Sequence, residues 1–172
     1  MCPQEAAMTE TGAYKTYYES PIGTIEIVGT AAGVSGLNFV DIKEERSVRR
    51  AAGAPPRPVA DAQAQLDGYF RGDRKAFTVK LDLRGTPFQM KVWERLLRVE
   101  FGRTTTYKAL ARAVGRPRAT RAVGGANHSN PVSIIVPCHR VLGSDGRLTG
   151  YGGGLWRKDW LLRHEGHDRL FV

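Results

Sequence analysis

The stretch Ser133-Ile134-Ile135-Val136-Pro137-Cys138-His139-Arg140-Val141 sets a thiol beside an imidazole and a guanidinium at the end of an apolar run. Sulfur attacks as the thiolate, and a nearby imidazole or cation raises the thiolate fraction. Neighbours on an extended chain point to opposite faces, so His139 reaches Cys138 through a bridging water or a sharp turn. The β-branched run Ile134-Ile135-Val136 predicts a buried strand. Pro137, with no N–H to give a ladder, predicts that this strand stops at the cysteine. A buried cysteine is ordinarily a small hydrophobic residue; the two basic neighbours argue for chemistry here.

A second chemical group lies at the end of the chain. Leu161-Leu162-Arg163-His164-Glu165-Gly166 reads as the close of a helix running from about Leu155 to Glu165, with Gly166 as its stop signal. A carboxylate at a helix C-terminus opposes the macrodipole, so Glu165 needs a partner. His139 is one choice, and an exposed pair with Arg163 or Arg169 is the other. The four histidines, His128, His139, His164 and His167, have neither paired cysteines nor His-Glu-x-x-His spacing, so no metal is expected. The glycine-rich stretch Val141 to Gly154 lacks the Lys-Ser/Thr of a nucleotide-phosphate loop. No cofactor is expected.

The elements that must position these groups have to come from 172 residues, enough for one large domain or two small ones. Cys2 and Cys138 are the two cysteines, too few for a disulfide framework. No apolar run approaches a membrane span, and the first ten residues, with Glu5 and Glu10, carry no secretory signal. A cytoplasmic, nucleoid-associated protein is expected. Residues 1–85 hold 11 basic and 11 acidic side chains and residues 86–172 hold 15 and 6, so all of the formal +9 lies in the half with the thiol. A concentrated positive field implies an anionic partner, nucleic acid being the commonest.

Residues 1–12 read as a disordered tail. Tyr14 to Glu19 and Thr24 to Val28 read as strands joined by the turn Ser20-Pro21-Ile22-Gly23, with a third strand at Gly36 to Val40. Lys43 to Pro58 predicts a short helix at most, then loop. Val59 to Phe70 has helical spacing, and Phe77, Val79, Leu81 and Leu83 alternate as a further strand. The boundary falls at Arg84-Gly85-Thr86. Thr86 then caps a helix with Pro87 in its first turn and Phe88, Val92, Leu96 and Val99 on one side. Helices at Tyr107 to Val114 and Arg118 to Asn127, separated by Gly115-Arg116-Pro117, make a helix-turn-helix. The fold class is α+β: a small N-terminal α/β domain (antiparallel sheet plus helix) over residues 13–84, then a mostly helical C-terminal domain over 86–172.

Pro137-Cys138-His139-Arg140, preceded by Asn130-Pro131-Val132, resembles the O6-alkylguanine-DNA alkyltransferase family, the methylated-DNA–protein-cysteine methyltransferases. Thr106-Tyr107, Arg121-Ala122-Val123-Gly124-Gly125-Ala126-Asn127, Gly150-Tyr151-Gly152-Gly153-Gly154-Leu155 and Leu161 to Gly166 match in the same order over about half the chain. The resemblance implies that Glu165 orients His139, that His139 takes the Cys138 proton through water, and that Asn130 shapes the loop. It implies that the third helix, small at Ala119, Thr120, Ala122 and Gly124, enters the minor groove while Arg121 replaces an extruded base. Tyr107 would then contact that base and its phosphate. Carbonyls near Cys138 and Val141 would accept from the guanine amine, Tyr151 and Gly152 would wall the pocket, and Lys158 would support it. The family commonly has a hydroxyl residue where Gly152 stands, and many members a second proline where Ser133 stands.

The expected function is DNA repair by irreversible, single-turnover transfer of an alkyl group from O6-alkylguanine, with O4-alkylthymine left open, to Cys138. The expected partner is double-stranded DNA carrying alkylated guanine. No membrane is involved, and the protein is expected as a monomer, with cooperative assembly on DNA left open. Two other readings stay in view. A cysteine hydrolase would use Cys138 and His139 but leaves the helix-turn-helix unexplained. A non-catalytic lesion sensor would share the DNA-binding parts but lack a reactive cysteine.

Overall fold

The computed structural model describes residues 12–41 and 53–167. The expected tail, save Gly12, and most of the Lys43 to Pro58 segment lie outside them. The chain divides into two compact units, Met1–Leu83 and Arg84–Val172, and the α+β class read from the sequence holds. No helix among the described residues is long and apolar enough to cross a membrane.

In the first unit, β1 (Tyr14–Ser20), β2 (Gly23–Thr30) and β3 (Gly33–Phe39) form an antiparallel meander in the order β1-β2-β3. Ile25 and Ile27 alternate inward and are fully buried, the period that a sheet covered on one face requires. The cover is α1 (Arg57–Phe70), whose Val59, Ala62, Leu66 and Tyr69 are fully buried. A Cβ on Gly29 would lie 2.9 Å from Val59 Cγ2 and 2.8 Å from the Gly33 carbonyl, so the helix can approach the sheet because glycine stands there.

Two expectations for this unit need correction. β3 begins at Gly33 rather than Gly36. The alternating segment Phe77 to Leu83 is not a strand; it makes a single parallel bridge, Val34 to Leu81. Gln65 of α1 explains the loss, because its side chain accepts from the Thr78 N–H at 2.8 Å and donates to the Thr78 hydroxyl at 2.9 Å. A backbone group taken by a side chain is withdrawn from a ladder. Val79 is still buried, and Phe77 packs 5.4 Å from the Tyr69 ring.

The second unit holds α2 (Pro87–Leu96), α3 (Tyr107–Ala113), α4 (Thr120–His128) and α5 (Leu155–His164). Thr86 caps α2 and Gln89 returns the bond, a full capping box. Val92, Trp93 and Leu96 are buried on its inner side, and Trp93 donates to the Ala126 carbonyl at 2.8 Å, tying α2 to α4. Thr106 caps α3, and Gly115, at φ 74°, makes the turn toward α4. A parallel pair absent from the sequence reading, β4 (Thr105–Thr106) with β5 (Val141–Leu142), joins the start of α3 to the chain after the thiol. Ladders of two residues leave no periodicity to read.

The strand expected before Cys138 is absent. Residues 131–137 form a tight loop with a Ser133 to Val136 bridge, and Ile134 sits at φ 71° with its side chain fully buried. β-branched residues rarely adopt that conformation. Asn130 holds it in place: its side chain donates to the Val136 carbonyl at 2.8 Å and accepts from the Val132 N–H at 3.0 Å. The apolar run is thus buried as a folded loop rather than an extended strand.

Candidate active site

Cys138, His139 and Arg140 form one 3₁₀ turn, and all three are buried. Cys138 is the free thiol among the described residues, 4% exposed. Burial pushes its pKa above the ordinary thiol value, and hydrogen bonds from Asn130 and Ser133 and the Lys158 charge pull the other way without prevailing. The resting group is therefore the neutral thiol. Asn130, expected to shape this loop, is buried and bears on the sulfur directly.

His139 is completely buried, and its Nε2 lies 2.8 Å from Glu165 Oε1. Burial lowers the imidazole pKa, the Arg140 and Lys158 charges lower it further, and Glu165 only partly offsets them. A neutral ring that gives its Nε2 proton to a carboxylate carries its lone pair on Nδ1. Nδ1 is buried and has no hydrogen-bond partner. Such an atom is a base held ready for a proton.

Glu165 sits at the C-cap of α5, where the macrodipole disfavours it. Its pairing is wider than expected. Arg140 Nε donates to Oε2 at 2.7 Å and Arg140 Nη2 to Oε1 at 2.9 Å, while Nη1 donates to the Val99 carbonyl. Burial alone would raise the Glu165 pKa, but the His139 and Arg140 bonds and charges hold it well below the usual carboxylate range. The partner is thus His139, as read from the sequence, together with Arg140. Arg163, one of the exposed alternatives, pairs with Asp159 at 2.8 Å.

Lys158 is fully buried, its Nζ donating to the Val141 and Thr149 carbonyls at 2.6 Å each. It fastens the glycine-rich segment to β5 from within. The Val141 carbonyl, expected to meet the guanine amine, thus has one lone pair on Lys158, and Val141 itself is fully buried. Burial lowers the Lys158 pKa to about 8, against a smaller raising effect from Cys138. The unfolded chain therefore holds more protons between that value and the ordinary 10.5, so this group's contribution to stability rises with pH across the window. The stability gap between the native protein and Lys158→Met should shift in favour of the native protein by up to about 3 kcal/mol as pH goes from 7 to 10. Urea midpoints of both proteins across that range would show it; a constant gap would mean that Lys158 titrates as a free lysine.

A cleft of about 910 Å³ opens beside the thiol, lined among others by Tyr107, Arg121, Gly124, Asn127, Tyr151 and Gly152. Burial raises the pKa of both Tyr107 and Tyr151, with Cys138 a contributing charge in each case, so both rings stand near the sulfur as neutral phenols. The Tyr107 hydroxyl lies 3.5 Å from the Thr149 carbonyl. Gly152 is exposed, and a Cβ there would meet nothing within 4 Å. Arg121, Thr120 and Ala122 are exposed on the first turn of α4, Ala119 is its half-buried N-cap, and a Cβ on Gly124 would reach van der Waals contact with Tyr107. This helix face is thus nearly free of bulk.

Sequence reasoning missed two residues here. Arg140 was read only as a neighbouring cation, although its guanidinium forks onto the carboxylate that orients His139. Asn127, quoted only as part of a motif, is buried at the end of α4, and its Nδ2 donates to the Cys138 carbonyl at 3.4 Å. A polar residue on the apolar side of a helix otherwise built of Val123 and Ala126 was the available signal.

A family model described as the 6-O-methylguanine DNA methyltransferase ribonuclease-like domain matches residues 13–83, and one described as the DNA binding domain of the same proteins matches residues 87–167. The Mycobacterium leprae methylated-DNA–protein-cysteine methyltransferase is 47% identical over 153 residues, 88% of this chain and 92% of that protein. The Methanosarcina acetivorans protein of the same name is 44% identical over 153 residues, covering 89% and 98%. Among solved structures, Mycobacterium tuberculosis OGT in complex with DNA matches with a TM-score of 0.77 at 42% identity, over 88% of this chain and 91% of that one.

Proposed function

The chain belongs to the methylated-DNA–protein-cysteine methyltransferase family, and from that premise we propose that it repairs DNA by taking the alkyl group of O6-alkylguanine onto Cys138. The observation that carries the assignment of roles is the buried neutral thiol set beside a neutral imidazole with a free Nδ1, next to a cleft walled by α4. A base inside a stacked duplex cannot meet a nucleophile in line, so the lesion must be turned out into the cleft. Arg121, exposed at the start of α4, fills the space the base leaves, and the small residues Ala119, Thr120, Ala122 and Gly124 let the helix lie in a narrow minor groove.

The chemistry is an SN2 displacement at the sp³ carbon. His139 Nδ1 takes the Cys138 proton, relayed by water, and the sulfur forms its bond to the alkyl carbon as the carbon–O6 bond breaks. The electron pair of that bond leaves with the guanine, and the proton taken up by His139 passes back through water to the ring, leaving guanine in its keto form and His139 neutral. Tyr107 donates to the ring nitrogen and the Gly152 N–H to O6, so charge on the leaving group is met by donors. Charge forming on His139 is stabilised by Glu165, itself held ionised by Arg140. The product is a thioether, which none of these groups hydrolyses, so each molecule acts once.

The test is intact mass followed by peptide mapping after mixing the protein with duplex DNA carrying O6-methylguanine. One methyl per protein, on the Cys138 peptide, is the expected outcome. Tight lesion binding without a mass change would replace this reading with a damage sensor. Repeated turnover of an ester or amide with no DNA binding would replace it with a hydrolase.

A further inference from the structure

Ser133 stands half-buried in the loop that delivers the thiol, and its main chain is fixed there: its carbonyl accepts from the Ile135 N–H at 2.8 Å, and it bridges to Val136. The Val136 carbonyl in turn accepts from the Cys138 N–H at 2.8 Å, so Ser133 and Cys138 hang from one frame. The Ser133 hydroxyl is hydrogen-bonded to the Cys138 sulfur, and it also bears on the phenol of Tyr151. Tyr151 Oη is buried, yet no partner stands at ordinary hydrogen-bond distance from it in the resting protein. A buried O–H without an acceptor is costly, and the hydroxyl that bears on this one is already joined to the sulfur. The displacement described above uses neither hydroxyl.

A neutral thiol accepts a hydrogen bond weakly, whereas a thiolate is a charged acceptor that draws its donors in. We propose that the Ser133 hydroxyl is a further catalytic group, donating to the Cys138 sulfur as its proton leaves, and that Tyr151 Oη backs it by donating to Ser133 Oγ in turn. This rests on the alkyltransferase reading above for the reaction it serves. Ser133 and Tyr151 keep their own protons; the Cys138 proton still passes through water to His139. Each bond in such a chain polarises the next, so the two hydroxyls favour the thiolate over the thiol. The titratable and charged groups around the sulfur are His139 on its own turn, with Glu165 and Arg140 beyond it, Lys158 of α5, Tyr107 of α3 and Tyr151. Lys158 acts on the sulfur as a charge, and Asn130 and Ser133 act through side-chain hydrogen bonds. Asn130 also holds the loop, so Ser133 is the one of these two whose bond to sulfur can be tested with less disturbance.

The experiment follows Cys138 in two ways: labelling of its peptide by iodoacetamide without DNA, from about pH 6 to 11, and single-turnover methyl transfer from duplex O6-methylguanine. Ser133→Ala should raise the labelling midpoint by about one pH unit. Tyr151→Phe should raise it by less, and should add nothing in a Ser133→Ala background, because it acts through Ser133. Ser133→Thr keeps a hydroxyl and should keep the native midpoint. Methyl transfer by Ser133→Ala should slow about threefold near pH 7, about tenfold less thiolate being partly offset by the greater nucleophilicity of a more basic sulfur. That deficit should shrink as pH rises toward the midpoint, whereas a loop merely loosened by the substitution would slow transfer alike at every pH. An unmoved midpoint in Ser133→Ala, a Ser133→Thr midpoint as high as that of Ser133→Ala, full additivity of the two substitutions, or a deficit independent of pH would overturn the proposal. Should Ser133→Ala not fold, Tyr151→Phe decides: a raised midpoint supports the chain of hydroxyls and an unmoved one overturns it. Native protein that labels on Cys138 yet takes no methyl from DNA would instead remove the alkyltransferase reading and leave the labelling to judge Ser133, so the two failures are distinct.

Discussion

A Cys138→Ala protein is expected to bind lesion-bearing duplex as the native protein does and to acquire no methyl group at all. The loss is expected because the groups nearest the sulfur are poor nucleophiles toward carbon. Tyr107 and Tyr151 are phenols whose pKa burial raises, and Lys158 holds its Nζ on two carbonyls. Binding is preserved because the substitution removes one buried sulfur and leaves Arg121 and the exposed turn of α4 as they were. Intact mass and fluorescence anisotropy on the same DNA would separate the two effects. A methylated Cys138→Ala protein would move the acceptor elsewhere, and Cys2 is the first peptide to examine.

Glu165→Gln comes next in size. The carboxylate is buried between His139 and the fork of Arg140, whose side chain is 7% exposed. Removing its charge leaves a guanidinium buried without a counter-ion, a loss of about 3–5 kcal/mol. The amide presents an oxygen and an NH₂ where two donors converge, so one of them faces a donor. If that one is His139, its proton moves to Nδ1, and the atom that should accept from the thiol can no longer do so. Alkyl transfer should fall about 10²- to 10⁴-fold in the folded fraction.

The pH dependence separates this from a general loss of packing. Glu165 is held below its ordinary 4.5 in the folded chain, so its stabilisation is complete above that value and fades as pH falls below it. The gap between native and Glu165→Gln urea midpoints should therefore be constant from pH 8 to about 5 and narrow below 4.5. His139 contributes a loss of its own below 6.5, because the unfolded chain protonates there while the buried ring stays neutral. That loss is common to both proteins to first order and largely cancels in the gap. A gap independent of pH down to 3 would show that the charge on Glu165 does not stabilise the fold.

The readable parts of this chain were those whose cause is local. Thr86 and Pro87 announce α2 within two residues, Ile25 and Ile27 announce a covered sheet, and Gly115 announces the turn of the helix pair. The Glu165 partner was half readable, because an acid at a helix C-terminus demands one and His139 stood beside the thiol. Arg140 was not, since its partners lie 25 and 41 residues away. Gln65 and Thr78, 13 residues apart, show the same limit from the other side: alternation at Phe77 to Leu83 was present, but a distant side chain took the backbone group a ladder needs. The run at Ile134 to Val136 had the composition of a strand and was folded over by Asn130, whose own role showed only once its two bonds were seen.

Lys158 fastens the lip of the cleft through main-chain oxygens alone, those of Val141 and Thr149. Every residue type supplies such an oxygen. Side chains between Gly143 and Gly154 are thus interchangeable as far as this anchorage is concerned, and Gly152, with open space around it, is the first that can be exchanged. An exchange at Gly152 can accordingly reshape the cleft wall while the fastening stays untouched.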